Sequence, residues 1–107
     1  MWSVNERKTN TERRETRLII PLEVLIEVFD EQGKISLTEH TVTENISTRG
    51  TSVLTNLDLA VGRILRITSA REGVSLFAAV RCHRVASDGI TRLGLEFLNE
   101  RWPLPGR

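Results

Sequence analysis

Short runs of alternating apolar and polar residues, separated by glycine-containing turns, constrain the fold of this chain more than any other feature. The first run follows Pro21 and ends near Asp30. Its apolar members recur at every second position, with Glu23 and Glu27 between them: Leu22, Val24, Ile26 and Val28. A two-residue period is typical of a half-buried β-strand. The stretch 31–34, which contains Gly33, predicts a hairpin turn into a second strand over 35–47.

The rest of the chain continues this pattern. Four further runs alternate or are rich in β-branched residues, over 51–55, 63–68, 75–86 and 90–97. Ser87, Asp88 and Gly89 lie between the last two runs and predict a tight hairpin turn. No long helical period is present, and Pro103 and Pro105 would interrupt a helix in the tail. These features predict an all-β fold of about six antiparallel strands, a small barrel or a sandwich, with at most a very short C-terminal helix.

The length of 107 residues fits one domain. The polar, aperiodic stretch 1–11 is interpreted as a flexible N-terminal arm. The barrel domain is predicted over 12–100, and a C-terminal tail over 101–107. Small barrels leave little interior volume, so a ligand is expected on the outer surface or at a mouth.

Charge and composition weigh against a general nucleic-acid binder. The net charge is +1, from 15 basic and 14 acidic residues, and aromatic residues make up 5% of the chain with no Tyr. Nucleic-acid binding is therefore unlikely on these grounds. It stays open as an alternative, because five arginines of the later strands could form a basic stripe: Arg63, Arg66, Arg81, Arg84 and Arg92.

The single cysteine, Cys82, excludes an internal disulfide and suits a reducing compartment. No apolar run is long enough for a signal peptide or a membrane span, so a cytoplasmic protein without membrane insertion is expected. Cys82 adjoins His83, but consecutive strand residues face opposite ways, which disfavours a shared metal. Cys82 is therefore expected to pack in the core.

The sequence contains none of the common catalytic arrangements. There is no glycine-rich phosphate loop and no nucleophile elbow. The expectation is a protein that is not an enzyme and that carries no metal and no cofactor.

A cluster of arginines precedes the first strand. Arg13 and Arg17 are four residues apart, with Arg14 between them, so a helical turn or tight loop would place the outer two on one side. Two guanidinium groups held together would repel each other unless an anion or polar ring lay between them. The cluster alone is equally compatible with a solvated basic run beside Glu12 and Glu15.

A polar turn interrupts the strand pattern at 45–50. In an extended strand, Asn45 and Ser47 would point to the same face with short hydrogen-bonding groups. Gly50 would permit a bulge or a positive φ, and would let a ligand approach closely. By itself the segment also fits a plain polar turn between two strands.

Taken together in this order, the two segments resemble the signature of the PilZ domain, a bacterial receptor module for cyclic di-GMP. That signature is RxxxR in the N-terminal loop followed by [D/N]xSxxG at a strand end. Here the motifs read RRETR, Arg13 to Arg17, and NISTRG, Asn45 to Gly50. The similarity covers roughly 12–98 and includes the closing LGLEF, Leu93 to Phe97.

The resemblance selects the small six-stranded antiparallel barrel over the sandwich. It implies a stand-alone receptor or adaptor that changes conformation or partner affinity on binding cyclic di-GMP, with a downstream protein partner. It implies that Arg13 and Arg17 bind the phosphates and guanines, and that Asn45 and Ser47 hydrogen-bond the ligand from the barrel surface. It assigns Gly50 to keeping the approach open. Arg14 and Arg49 are added as candidate contacts.

The sequence departs from the family pattern at three places. Arg49 stands where the family often has a small residue, Glu12 offers the ligand nothing, and the usual C-terminal helix is missing or very short. One further alternative is therefore a PilZ-like module that binds a protein and no nucleotide.

Overall fold

The structure, a computed structural model, describes residues 16–104. The arm predicted over 1–11 and two predicted ligand residues, Arg13 and Arg14, lie outside the described residues. Six strands are present: β1 Glu23–Phe29, β2 Ile35–Ile46, β3 Gly50–Thr55, β4 Ile64–Ser69, β5 Val74–Val85 and β6 Thr91–Phe97. Each corresponds to one of the six runs in the sequence, and residues 16–104 contain no helix. The all-β prediction is confirmed.

The strands form a closed barrel in the order β1-β2-β3-β6-β5-β4, and every neighbouring pair is antiparallel. Short turns join most strands that follow each other in the chain. The longer β3–β4 connection places the buried Leu59 in the core. It is fixed to β5 by Gly62 N–H to the Val80 carbonyl (2.7 Å) and Val80 N–H to the Arg63 carbonyl (2.9 Å). The six-stranded barrel prediction is confirmed as well.

Alternate residues of each strand fill the barrel. On β1 these are Val24, Ile26 and Val28, all buried, as the two-residue period predicts. Burial of one such side chain stabilises the fold by about 1.5–3 kcal/mol. The core also takes in Trp102 and Leu104, which the sequence analysis assigned to the tail. Trp102 stacks on Phe97 with ring centroids 5.4 Å apart, so 98–104 pack against the barrel.

Cys82 is exposed, so the expectation that it packs in the core is wrong. The cause is a register shift between β5 and β6. Val80 faces Leu95, but the next pair in the ladder is Cys82 with Gly94, because the bulge takes up one residue. Gly94 lies between the inward-facing Leu93 and Leu95, so its partner Cys82 shares the outer face.

Strand β2 is paired differently along its length. From Ile35 to Val42 it pairs with β1, and from Thr43 to Ile46 it pairs with β3. Most side chains of the first half are exposed, whereas those of the second half are buried or half-buried. The ladder with β3 is irregular between Thr43 and Asn45, which makes Glu44 a bulge residue at the point where the polar motif begins.

Candidate ligand-binding site

The segment that leads into β1 lies along the end of β2. Leu18 and Ile46 exchange two backbone hydrogen bonds, with N to O distances of 2.8 Å and 2.9 Å. Further along, the Thr43 amide donates to the Leu22 carbonyl (2.9 Å), and the Leu22 amide donates to Thr43 Oγ1 (2.9 Å). The Thr43 hydroxyl in turn donates to the Ile20 carbonyl. These bonds fix the backbone beside Arg17 against the strand that ends in the second motif.

Arg17 and Asn45 meet on this surface. Arg17 Nη1 donates to Asn45 Oδ1 over 2.6 Å, between residues that are both partly buried. The last residue of RRETR and the first of NISTRG are therefore in direct contact, although 28 positions separate them in the chain.

Ser47 shapes the turn that follows β2. Its hydroxyl is buried, accepts from the Arg49 and Gly50 amides, and lies within hydrogen-bonding distance of the Gly50 carbonyl, each at 3.2 Å. The strand ends at Ile46, but the Ser47 amide still donates to the Gly50 carbonyl (2.8 Å) across the turn. The same-face relation expected for Asn45 and Ser47 stays a prediction. In this structure Ser47 holds the shape of the turn beside Asn45.

Gly50 is required by the close approach of two strands. It pairs with Glu96, and a Cβ at this position would overlap the carbonyl oxygen of Leu95. The positive φ that Gly50 would permit is not used; among the described residues the positive-φ glycines are Gly33, Gly62, Gly73 and Gly89. A side chain here would therefore push β3 away from β6 and displace the motif turn.

The far side of the turn is bonded to the end of the described chain. The Thr48 carbonyl accepts from the Trp102 amide (2.9 Å), and the Arg49 carbonyl accepts from the Phe97 amide (2.8 Å). The side chain of Arg49 is exposed. The backbone at 48–49 is thus held by the stacked pair Phe97 and Trp102.

Small residues form a row across four strands beside Asn45. Asn45 on β2 faces Ser52 on β3, Ser52 faces Gly94 on β6, and Gly94 faces Cys82 on β5. Paired residues share one face of a sheet, and Gly94 marks this as the outer face. The sequence analysis did not assign Ser52, Gly94 or Cys82 to the site, because the row depends on strand register. The LGLEF motif offered a partial signal for Gly94.

A charged network adjoins this row. Glu44 accepts from Ser52 Oγ (3.1 Å) and from Arg92 Nε (2.8 Å). Arg92 also donates through both terminal nitrogens to the Asp88 carboxylate (3.1 Å each) and to the Ile90 carbonyl (3.0 Å). Burial raises the pKa of Glu44, but the hydrogen bonds from Arg92 and Ser52 outweigh this and hold the pKa below its usual value. Arg92 likewise lowers the pKa of Asp88.

Three of the five arginines considered for a basic stripe pair with acids. Arg66 pairs with Glu27 (2.8 Å), Arg81 with Glu96 (2.5 Å), and Arg92 with Glu44 and Asp88. Arg63 donates to the Phe29 carbonyl (3.4 Å). A surface whose cations are paired in this way offers few of the unmatched charges that bind a phosphate backbone.

Within 16–104, no cluster of three or more His, Cys, Asp or Glu side chains could hold a metal ion. No helix in the described part of the chain could span a membrane.

No family model matches the sequence, and no curated protein matches it. Solved structures do match. The Bacillus subtilis inhibitor of motility MotI/DgrA has a TM-score of 0.69 at 21% identity, over 85% of this chain and 44% of that one. The chain therefore spans less than half the length of that protein. A complex of K. pneumonia MrkH with c-di-GMP has a TM-score of 0.60 at 15% identity, over 82% of this chain and 45% of MrkH.

The PilZ domain of Escherichia coli YcgR with c-di-GMP matches over 83% of this chain and 79% of that domain, with a TM-score of 0.56 at 17% identity. The match therefore spans most of both chains. The barrel, its strand pairing and this similarity agree: the chain has the fold of a PilZ domain.

Proposed function

We propose that this chain is a receptor or adaptor that binds cyclic di-GMP and changes conformation or partner affinity on binding. The observation that carries the proposal is the contact between Arg17 and Asn45, which joins the two halves of the sequence motif on the barrel surface. Solved structures of the same fold include complexes with c-di-GMP, those of YcgR and MrkH.

The chemistry of the site suits this ligand. Cyclic di-GMP presents two phosphates and two guanines, and an arginine fork pairs with either a phosphate or the O6/N7 edge of guanine. Arg17 stands beside Asn45, and Arg13 and Arg14 precede it by a few residues in the sequence. In the proposed complex these arginines bind the phosphates and guanine edges, while Asn45 hydrogen-bonds the ligand from the barrel.

The motif turn has a mainly architectural part in the proposal. Ser47 keeps the turn closed, and Gly50 allows β3 to reach β6, so both act by holding Asn45 in place. The exposed Arg49 lies in the turn, and the proposal assigns it a phosphate contact. The row of Ser52, Gly94 and Cys82 supplies a low surface beside Asn45 on which a flat purine can lie.

In this proposal the receptor acts on a downstream protein partner and does not catalyse a reaction. Two rival functions remain distinguishable by experiment. A PilZ-like module without nucleotide binding would use the same surface for a protein, and a small nucleic-acid-binding barrel would show a steep salt dependence. Three arginines on β4, β5 and β6 are paired with acids, which weighs against a broad surface for DNA or another polyanion.

Calorimetric titration of the purified chain with cyclic di-GMP tests the proposal, with GTP and cyclic GMP as competing nucleotides. Saturable binding of cyclic di-GMP alone is expected. Arg13→Ala and Arg17→Ala should each severely weaken that binding, because each removes a charged partner of the ligand. Arg71→Ala is the matched control, since Arg71 is exposed in the β4–β5 turn, and it should bind as the parent does.

Absence of heat with any nucleotide would overturn the proposal and favour the protein-binding module. Equal affinity of the parent, Arg13→Ala and Arg17→Ala would show that the nucleotide binds elsewhere. The stoichiometry separates one bound ligand from a stacked pair.

A further inference from the structure

We infer that Arg92 is a positioning residue for the ligand surface: acting through Glu44, it fixes the bulge of β2 that aims Asn45, and it links this bulge to the β5–β6 turn. The inference rests on the proposed function for its effect on binding, but its structural content concerns Asn45 in the free protein.

The pairing of β2 with β3 contains a bulge. Opposite β3, Thr43 faces Val53 while Asn45 faces Ser52, so Glu44 is the extra residue. A bulge lacks part of the regular ladder and changes the direction of the side chains next to it. The conformation of this bulge therefore determines where the Asn45 amide points. Something other than the strand ladder has to hold Glu44.

Two side-chain hydrogen bonds hold Glu44. Its carboxylate receives one bond from Ser52 Oγ (3.1 Å) and one from Arg92 Nε (2.8 Å). Ser52 is the residue that faces Asn45 across the strands. The carboxylate is thus held on the residue opposite Asn45 and on strand β6 at the same time.

Arg92 is itself held by the β5–β6 turn. Its guanidinium bonds both carboxylate oxygens of Asp88 and the Ile90 carbonyl, and its side chain is 12% exposed. The turn itself is closed by hydrogen bonds from Gly89 N to the Ala86 carbonyl and from Ile90 N to Asp88. Arg92 therefore has a fixed anchor on the side away from Glu44.

A second arginine–glutamate pair shows what an ordinary pair on this barrel looks like. Arg66 Nε also lies 2.8 Å from its glutamate, Glu27, across the β1–β4 ladder. Its side chain is 36% exposed and lies over the Phe29 ring, and the β1–β4 pairing beside it is regular. The two pairs have the same Nε–Oε distance, but only the Arg92 pair adjoins a bulge and the motif.

Substitution to lysine tests the inference, because lysine keeps the charge but lacks the planar fork that bonds Glu44 and Asp88 together. The variants are Arg92→Lys, Glu44→Gln and, as matched control, Arg66→Lys. In the free protein, NMR is used to record the Asn45 side-chain amide signals and the hydrogen exchange of the 44–46 backbone amides. Calorimetry then gives the affinity of each variant for cyclic di-GMP.

The expected result is a shift of the Asn45 side-chain signals and faster exchange at 44–46 in Arg92→Lys and Glu44→Gln, with neither change in Arg66→Lys. Affinity for cyclic di-GMP should fall on the order of tenfold in the first two variants and stay at the parent value in the control. A merely stabilising ion pair would instead make Arg66→Lys and Arg92→Lys alike.

Unchanged Asn45 signals in Arg92→Lys would overturn the inference whatever the affinities are. Unchanged affinity in a variant whose Asn45 signals do shift would overturn the role in binding. If the parent binds no cyclic di-GMP, the proposed function fails, while the NMR comparison still decides whether Arg92 positions Asn45.

Discussion

The two halves of strand β2 share one backbone but have different surroundings. From Ile35 to Val42 the strand is paired with β1, and most of its side chains are exposed. From Thr43 to Ile46 it is paired with β3 on one edge and bonded to the 18–22 segment on the other. The second half carries the bulge and the motif. The first half reaches β3 through the side chains of Glu39 and Thr41. The comparison teaches that the site is built where backbone bonds hold the strand from both edges, so an irregular conformation can be kept.

Replacement of one isoleucine in each half should show the largest difference. Ile46 is fully buried, whereas Ile35 is 46% exposed. Ile46→Ala should lower the free energy of unfolding by about 2–5 kcal/mol, because it leaves a cavity in the core. Ile35→Ala should change it by less than about 0.5 kcal/mol. Urea denaturation of both variants measures the difference, and equal losses would contradict the contrast between the halves.

A threonine in each half tests the bonds to the N-terminal segment. Thr43 Oγ1 bonds the Leu22 amide and the Ile20 carbonyl, whereas Thr38 is exposed. Thr43→Val keeps the shape and removes both bonds, so a loss of about 2–4 kcal/mol in unfolding free energy is expected.

Thr38→Val is the matched control and should stay within about 0.5 kcal/mol of the parent. In Thr43→Val, the Leu18 and Leu22 amides should also exchange faster with solvent. If exchange at these amides is unchanged, the segment is held by other contacts.

Of the two halves of β2, only the second should change the affinity for cyclic di-GMP when a residue in it is replaced. Asn45→Ala removes one hydrogen-bonding group from the proposed site and should weaken binding by about 1–3 kcal/mol. Ser36→Ala, in the exposed half, should bind as the parent does. Calorimetric titration compares the two, and parent-like affinity of Asn45→Ala would remove this residue from the site.

The smallest effect expected is on the pH dependence of stability. The pKa of Glu44 lies below its ordinary value of 4.5 in the folded chain, chiefly through hydrogen bonds from Arg92 and Ser52 that outweigh burial. A lowered carboxyl pKa stabilises the fold above the unfolded-state pKa, and this stabilisation is lost as pH falls through the folded-state value. Glu44→Gln should therefore flatten the decline in stability below about pH 4.5.

The control for this titration is the same substitution in an Arg92→Ala background. Without its main hydrogen-bond donor, Glu44 should contribute less, so Glu44→Gln should change the acid limb less than it does in the parent. An equal change in both backgrounds would show that Arg92 is not the cause of the lowered pKa.

The strands could be predicted from the sequence because alternation is a local signal. Val24, Ile26 and Val28 indicate an inward face without knowledge of any partner. Contacts that depend on register could not be predicted in this way. The bulge at Glu44 and the shift between Val80 and Cys82 decide which residues face outward, and each depends on the register of pairing with the next strand, which alternation does not reveal. This is why Cys82 was assigned to the core.

The candidate site was predictable in part for the same reason. The motif resemblance selected Arg17 and Asn45, which the structure brings together. It could not reveal that Ser47 holds the turn, that Gly50 serves the approach of β3 to β6, or that Arg92 bonds Glu44. Those roles follow from three-dimensional packing. The contributions of all the predicted residues to ligand binding stay predictions: Arg13, Arg14, Arg17, Asn45, Ser47, Arg49 and Gly50.

The motif turn is also the point where both ends of the described chain converge. Leu18 is bonded to Ile46 just before the turn, and Trp102 is bonded to Thr48 within it. A tether attached near either end would therefore pull on the same few residues. A force applied to one end of the described chain would therefore be transmitted to the turn backbone that also binds the other end. Conversely, a ligand that changes the conformation of the turn would act on both ends of the described chain at once.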